Sequence, residues 1–336
     1  LKDASAYNIQ FLNGRPVFID TLSFEKYEEG KPWIAYRQFC QHFLAPLALM
    51  SCRDIRLNQL LRIYTDGIPL DLAQKLLPLS SRFNLSLLMH IHLHAKSQKH
   101  FGDKEIKKSA KTFSKLAFLG LLDSLESCIK RLTWRPRGTQ WAEYYQAAHY
   151  SDRAVQHKKN LVAIFLDHIK PANVWDLGAN AGVYSRISSD RGIPTLAFDM
   201  DPAAVELNYR RGRDKKEKNL LPLLLDLTNP TPPVGWAHEE RLSFEERGPV
   251  DTILALALIH HLAISNNVPL EKIAEFFSRL CRSLIIEFIP KTDSQVQRLL
   301  RSRQDIFADY HPSAFEEHFS RYFQIRDAQK IEDSGR

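Results

Sequence analysis

One short stretch of the chain concentrates residues that could grip a small charged ligand. It reads Asp176-Leu177-Gly178-Ala179-Asn180-Ala181-Gly182 and follows the apolar pair Val174 and Trp175. A short apolar run broken by glycine marks a buried strand that ends in a tight turn. Gly178 permits a turn that a Cβ would obstruct, and Gly182 lets the backbone come close to a ligand. A helix starting near Ala181 would offer unpaired N–H groups to a carboxylate, while Asp176 would hold an ammonium. A ligand carrying both groups, an amino-acid moiety, suits such a corner. Two more acids follow at expected strand ends. Asp199 could accept from both hydroxyls of a ribose. Asp201, just ahead of Pro202, suits a helix N-cap. Asp226, beside Leu227, could accept from an adenine amino group while a nearby N–H reaches the ring.

Taken in order, these residues resemble the class I S-adenosylmethionine (SAM) dependent methyltransferases. The glycine turn is similar to that family's first motif, Asp199 to its ribose-binding acid and Asp226 to its adenine-contacting acid. The resemblance covers roughly residues 140–336. It implies a doubly wound, mostly parallel α/β sheet of the seven-stranded methyltransferase type. It also implies SAM as cofactor, held at the turn by Asp176, Gly178, Ala179, Asn180 and Gly182. Beyond the turn it places Asp199, Met200, Asp226, Leu227 and Leu256 around the cofactor. A nicotinamide-binding domain would need G-x-G-x-x-G after its first strand. Here no glycine stands between Gly178 and Gly182, which disfavours that reading.

Methyl transfer from a sulfonium is an in-line displacement with a neutral leaving group, so positioning and a dry pocket matter most. A base is needed only where the acceptor must lose a proton. The resemblance puts the end of the fourth strand opposite the methyl group, and there the chain carries His260 and His261. Imidazoles titrate near neutral pH, so either could be a base or simply part of the packing. Glu287, at the end of the fifth strand, is a third candidate, or else orients a loop. The Asn/Asp-Pro-Pro-Tyr pattern of base-amine methylating relatives is absent, which points to a hydroxyl or carboxyl of a small or carbohydrate-like acceptor. Tyr144, Tyr145 and Tyr150, with Lys158 and Lys159, precede the turn and in similar enzymes would close over the cofactor.

A second constellation opens the chain. Asp3 and Asn8, followed by a strand leading to Asp20, resemble the catalytic loop and metal-binding acid of kinase-like phosphotransferases. The resemblance would make Asp3 a base and give magnesium to Asn8 and Asp20. No glycine-rich loop or strand lysine accompanies them, and Asp20 lacks its following glycine. The plainer expectation is a hairpin with a helical cap. His90 and His94 would share a helix face and His92 lies between them, but no HExxH or local carboxylate joins them. They are expected at the surface or between domains, and no metal is expected.

These residues need elements to hold them. Alternation around Asn13-Gly14 predicts a hairpin of residues 7–12 and 17–19. Helical spacing predicts helices near 34–50, 54–64, 70–77 and 104–132, forming a mainly helical accessory domain of residues 1–137. Residues 135–138 read as a linker, and residues 138–336 as the SAM-binding domain. A helix is expected over 155–169, then strands at 174–177, 195–198, 220–225, 251–256 and 283–289. Helices should start near Ala181, Pro202, Pro269 and Asp293. Such alternation specifies a parallel sheet covered on both faces. Residues 322–326 read as a sixth strand; a seventh is expected to be missing, and the absent initial Met suggests a piece of a longer protein.

The bulk composition fits this picture. The 336 residues are 44% hydrophobic and 25% charged, enough for two globular domains. No apolar run approaches the roughly 20 residues a membrane helix needs. Four cysteines are scattered without a CxxC pair, which fits a reducing cytoplasm. The net charge is +7, and residues 95–160 hold 14 Lys and Arg against 6 Asp and Glu. With the basic run at 210–218, this raises the alternative of an RNA methyltransferase whose N-terminal domain is the RNA-binding module, against the plainer reading of solvated helix faces. The third alternative is a kinase-like scaffold fused to a noncatalytic SAM-binding domain. Nothing in the sequence speaks to oligomeric state.

Overall fold

The computed structural model describes residues 1–101, 113–136, 151–301 and 303–336. The chain forms two compact units, Leu1–Arg135 and Pro136–Arg336. In the first, β1 (Ile9–Leu12) and β2 (Arg15–Phe18) pair antiparallel. Asn13 and Gly14 join them with φ of 52° and 72°, the two left-handed residues a tight hairpin turn demands. The expected helix near 34–50 is present as Tyr36–Phe39, a wider π-turn at Cys40–Leu44, and α1 (Ala45–Cys52). It packs with α2 (Leu70–Leu76) and α4 (Lys115–Arg131) around Leu44, Leu49, Ile68, Leu87 and Leu125. A second helix with a π-turn at Leu88–Leu93 leads into α3 (His94–Phe101).

The second unit opens with α5 (Asp152–Ile169), capped by the Ser151 hydroxyl. Five parallel strands follow: β3 (Val174–Leu177), β4 (Thr195–Asp199), β5 (Leu220–Leu224), β6 (Val250–Ala255) and β7 (Cys281–Ile286). Their order across the sheet is β5-β4-β3-β6-β7. The direction of winding reverses between β3 and β6, the switch point where such sheets bind ligands at their carboxyl ends. Between strands lie α6 (Ser185–Ser189), α7 (Pro202–Lys215) and α8 (Leu270–Leu280); α9 (Ser294–Leu300) and α10 (Pro312–Ser320) come last. α8 buries Leu270, Ile273, Ala274, Phe277 and Leu280, one helical stripe. Each large side chain so buried contributes about 1.5–3 kcal/mol.

The strands sort their side chains by parity. Trp175, Leu177, Ile253 and Ala255 join the core on one face. Val174, Leu254, Leu256 and Ile285 join Val162 and Leu166 of α5 on the other. Asp176 and Glu287 have the parity of this second face, so strand pleating alone directs two carboxyls toward α5.

Three expectations are corrected. The helix expected near Ala181 begins at Ser185, because Asn180 and Gly182 take left-handed φ values of 50° and 73° that no α-helix accommodates. It has five residues, too short to serve as a carboxylate-binding helix end. The sixth strand expected at 322–326 is turn and irregular chain: Tyr322 and Phe323 both donate to the Phe319 carbonyl and finish α10. The fifth strand stops at Ile286 rather than running to 289, and Phe288 and Ile289 instead join the core below it.

The turn after β3 is held by one side chain from α6. The Arg186 guanidinium donates at 2.9 Å to the carbonyls of Ala181 and Gly182 and to Asn208 Oδ1. Its other nitrogens grip both oxygens of Glu217, also at 2.9 Å. A Cβ on Gly182 would fall 2.4 Å from the amide of the same Asn208. Breaking a buried pair of this kind costs about 3–5 kcal/mol. Arg186→Leu should therefore lower the unfolding free energy by about that much in urea titration. Gly182→Val should cost about 1–3 kcal/mol through crowding.

Candidate functional site

The site begins with a chain of amides. The N–H groups of Gly178 and Ala179 both donate to the Phe198 carbonyl at 2.9 Å, tying the turn to the neighbouring strand. Gly178 has φ of 75° and its missing Cβ would meet Leu258 Cδ1 at 3.1 Å. Asn180 then donates its N–H to Asp199 Oδ2 at 2.7 Å, while Asp201 donates to Asp199 Oδ1 at 2.8 Å. The structure thus brings Asn180 and Asp199 together at the tip of β4. Burial raises the Asp199 pKa and the amides of Asp201 and Asn180 pull it back. Asp201 caps α7 through Ala203, the structural role its place before Pro202 suggested.

Around this tip lie the other proposed cofactor residues. Ala179 is buried under the turn and Met200 is 62% exposed beside it. Leu225 donates to the Asp199 carbonyl, so Asp226 follows one residue beyond that contact. Asp226 Oδ1 accepts from the N–H and hydroxyl of Thr228, which folds the chain back after β5. Leu227 packs partly buried against the main core, and Leu256 is buried on the α5 face.

Beneath the rim is a layer of buried polar groups. Asp176 is only 2% exposed and its Oδ2 accepts from the Ser185 hydroxyl at 2.6 Å. Burial pushes its pKa up to about 6, against the Ser185 bond and the Lys158 charge, which lower it. Lys158 of α5 donates to Glu287 Oε2 at 2.7 Å and sits 4.4 Å over the Tyr184 ring. His260 is fully buried, and among the described residues neither ring nitrogen has a hydrogen-bond partner. Its ring lies 4.0 Å from that of His261. Burial first, then the His261 and Lys158 charges, hold His260 well below the usual imidazole value. Burial alone brings His261 to about 4.

Other sequence candidates fall elsewhere or outside the described residues. Tyr144, Tyr145 and Tyr150 lie outside them. Lys158, expected in a closing segment with Lys159, is instead buried in the sheet-covering helix. His90 and His92 are interior, not at the surface: His90 bonds Tyr36 and Ser124, and His92 bonds Ser81. His94 stacks on Tyr36 at 4.8 Å. Among the described residues no group of three or more His, Cys, Asp or Glu could hold a metal ion. Asp3, Asn8 and Asp20 do meet in one network. The Asn8 amide donates to Asp3 and to Ser23, and the Ser23 hydroxyl donates to Asp20. Arg186, Ser185 and Asn208 escaped the sequence reading; an arginine four residues past Gly182, in a short serine-rich helix, was the available signal.

The two imidazoles link stability to pH. Unfolded, each takes a proton below about pH 6.5; folded, His261 resists to about 4 and His260 resists too. Acid therefore draws protons to the unfolded chain and weakens the fold. Asp176 acts oppositely between 3.8 and about 6, where the folded form keeps a proton that the unfolded form has lost. The difference between wild type and His261→Phe isolates one imidazole. It should change by about 1.4 kcal/mol per pH unit between pH 6.5 and 4, the wild type losing more stability, as read by urea titration across that range.

No protein-family model matches the chain. The nodulation protein NoeA of Rhizobium meliloti (strain 1021) is 37% identical over 346 residues, an alignment spanning 100% of this chain and 72% of that protein. Among solved structures, the bifunctional kinase-methyltransferase WbdD is 12% identical with a TM-score of 0.38, over 63% of this chain and 44% of that one. Magnesium protoporphyrin IX methyltransferase (ChlM) from Synechocystis PCC 6803, solved with bound SAH, is 16% identical with a TM-score of 0.36, over 57% of this chain and 81% of that one. The chain thus spans less than half the length of WbdD. No helix of the described residues is long and apolar enough to cross a membrane. At 37% identity along its whole length, the chain belongs to the family of the nodulation protein NoeA.

Proposed function

We propose that the chain is a SAM-dependent methyltransferase acting on a hydroxyl or carboxyl of a small or carbohydrate-like molecule. One observation carries this reading. Asp176, Asp199 and Asp226 end or follow three adjacent parallel strands, and Asp199 is pinned to the glycine turn through Asn180. The residues present fit such a ligand. The Asp199 carboxylate accepts from the amides of Asn180 and Asp201, with the Met200 amide acting on it as well, which still leaves acceptor capacity for a ribose hydroxyl. Asp226 Oδ2 accepts no hydrogen bond among the described residues and stands ready for an amino group. When bound, SAM supplies an electrophilic methyl group on a sulfonium.

The chain's own residues then supply position, dryness and a proton acceptor. Burial keeps His260 neutral at pH 7, so one of its two ring nitrogens carries a lone pair for a proton from an acceptor hydroxyl, though the same burial weakens it as a base. A carboxylate acceptor would need no base at all. The RNA alternative gains little from the basic run at 210–218. α7 starts at the Asp199 tip of β4 and leads back toward the start of β5, so the run at its far end lies toward the amino ends of the strands. Asp20, in the kinase-like alternative, spends its carboxylate capping Leu22 and binding Ser23.

Calorimetry with S-adenosylhomocysteine should show one site on the full chain. Asp199→Asn, which keeps the size of the side chain, should weaken it at least tenfold, since hydrogen bonds to a charged group contribute about 1.5–3 kcal/mol each. A folded wild type that binds neither SAM nor its product would sink the proposal. Labelled methyl groups from SAM, chased into a lysate and fractionated, should appear among small molecules. Label in RNA would overturn the acceptor class while leaving the cofactor intact.

A further inference from the structure

The layer of charge beneath the site extends beyond Lys158 and Glu287. Glu287 Oε1 lies 3.7 Å from the Arg336 guanidinium, whose Nε and NH2 both reach Asp293 Oδ2 at 2.7 Å. Lys158, Glu287 and Arg336 have side chains 5%, 7% and 5% exposed, and Asp293 15%. The four charges alternate in sign and come from four separate places: α5, the end of β7, the N-cap of α9, and the folded-back segment 327–336. That segment grips α5 on its other side as well. Glu332 accepts from Arg153, and its N–H donates to His157, the residue before Lys158. Ile331 is buried, and its N–H donates to the Arg336 carbonyl, closing a tight loop that presents the guanidinium inward.

We infer that Arg336 is a positioning residue for this site, fixing the Lys158 ammonium beside Asp176 and Tyr184 by holding Glu287 and Asp293 in place. Two buried carboxylates so close require two cations. Without the guanidinium, Glu287 and Asp293 repel each other and compete for Lys158, which is drawn off the Tyr184 ring. The charge of Lys158 acts on both Asp176 and His260. Its displacement therefore alters the electrostatics of the glycine turn from below. The functional consequence, though not the coupling itself, rests on the SAM reading.

Two measurements on the full chain separate coupling from consequence. Proton exchange of the Lys158 ammonium, followed by NMR of nitrogen-labelled protein and assigned with Lys158→Met, should show one slowly exchanging signal. Arg336→Ala, or Arg336→Gln if the first variant folds poorly, should abolish it; Arg336→Lys should restore it. By calorimetry the same neutral variants should bind S-adenosylhomocysteine at least tenfold more weakly, with Arg336→Lys recovering to within about threefold. A signal that survives in a folded neutral variant overturns the coupling. A signal lost with unchanged affinity overturns the positioning role. If wild type itself fails to bind while the signal is lost on substitution, the SAM reading falls and the coupling stands.

Discussion

The site depends on the Arg186 guanidinium more than on any residue that could touch a ligand. A turn containing Gly178, Asn180 and Gly182, all left-handed, leaves carbonyls that no helix can satisfy. Arg186 satisfies two of them and anchors itself on Glu217 and Asn208. Planar and always charged, it can make all these bonds at once, which a lysine could not. With the turn fixed, Asn180 can hold Asp199, and Asp199 can hold the first residue of the next helix cap. Geometry thus passes from a buried cation to the largely buried acid at the strand tip without any step that requires a ligand.

The same logic, with different residues, governs the other side of the turn. Asp176 is enclosed rather than presented, and its carboxyl fastens Ser185 to the strand. Lys158 stands between it and Glu287. The polar layer under α5 therefore works as a foundation: it sets the charge beneath the pocket, and the rim above supplies the groups that face outward. His260 differs from its neighbours here. Among the described residues neither of its buried ring nitrogens makes a hydrogen bond, a costly arrangement.

Much of the second unit was legible in the sequence because its signals are local. Short apolar runs ending in Asp or Gly announced β3, β4 and β5, and Asp201-Pro202 announced the start of α7. The Asn13-Gly14 hairpin was equally local. What failed was non-local. Residues 322–326 alternate as a strand would, yet a strand exists only with a partner. His90 and His92 are interior because Tyr36, Ser81 and Ser124 reach them from other helices. The pairing of Lys158 with Glu287 joins residues 129 apart, a separation that no spacing rule spans.

One face of the sheet is apolar and the other carries Asp176 and Glu287 among its apolar side chains, which has a consequence for register. A slip of one residue in β7 would carry Glu287 into the packed aromatics around Phe277 and Phe319, and Ile286 into the company of Lys158. Both errors are penalised, one by desolvating an unpaired carboxylate and the other by stranding an ammonium. An all-apolar sheet would resist such a slip only weakly, since either face would accept either neighbour. Here the misaligned strand is penalised on both faces, so the buried charges specify its register as well as underpinning the site.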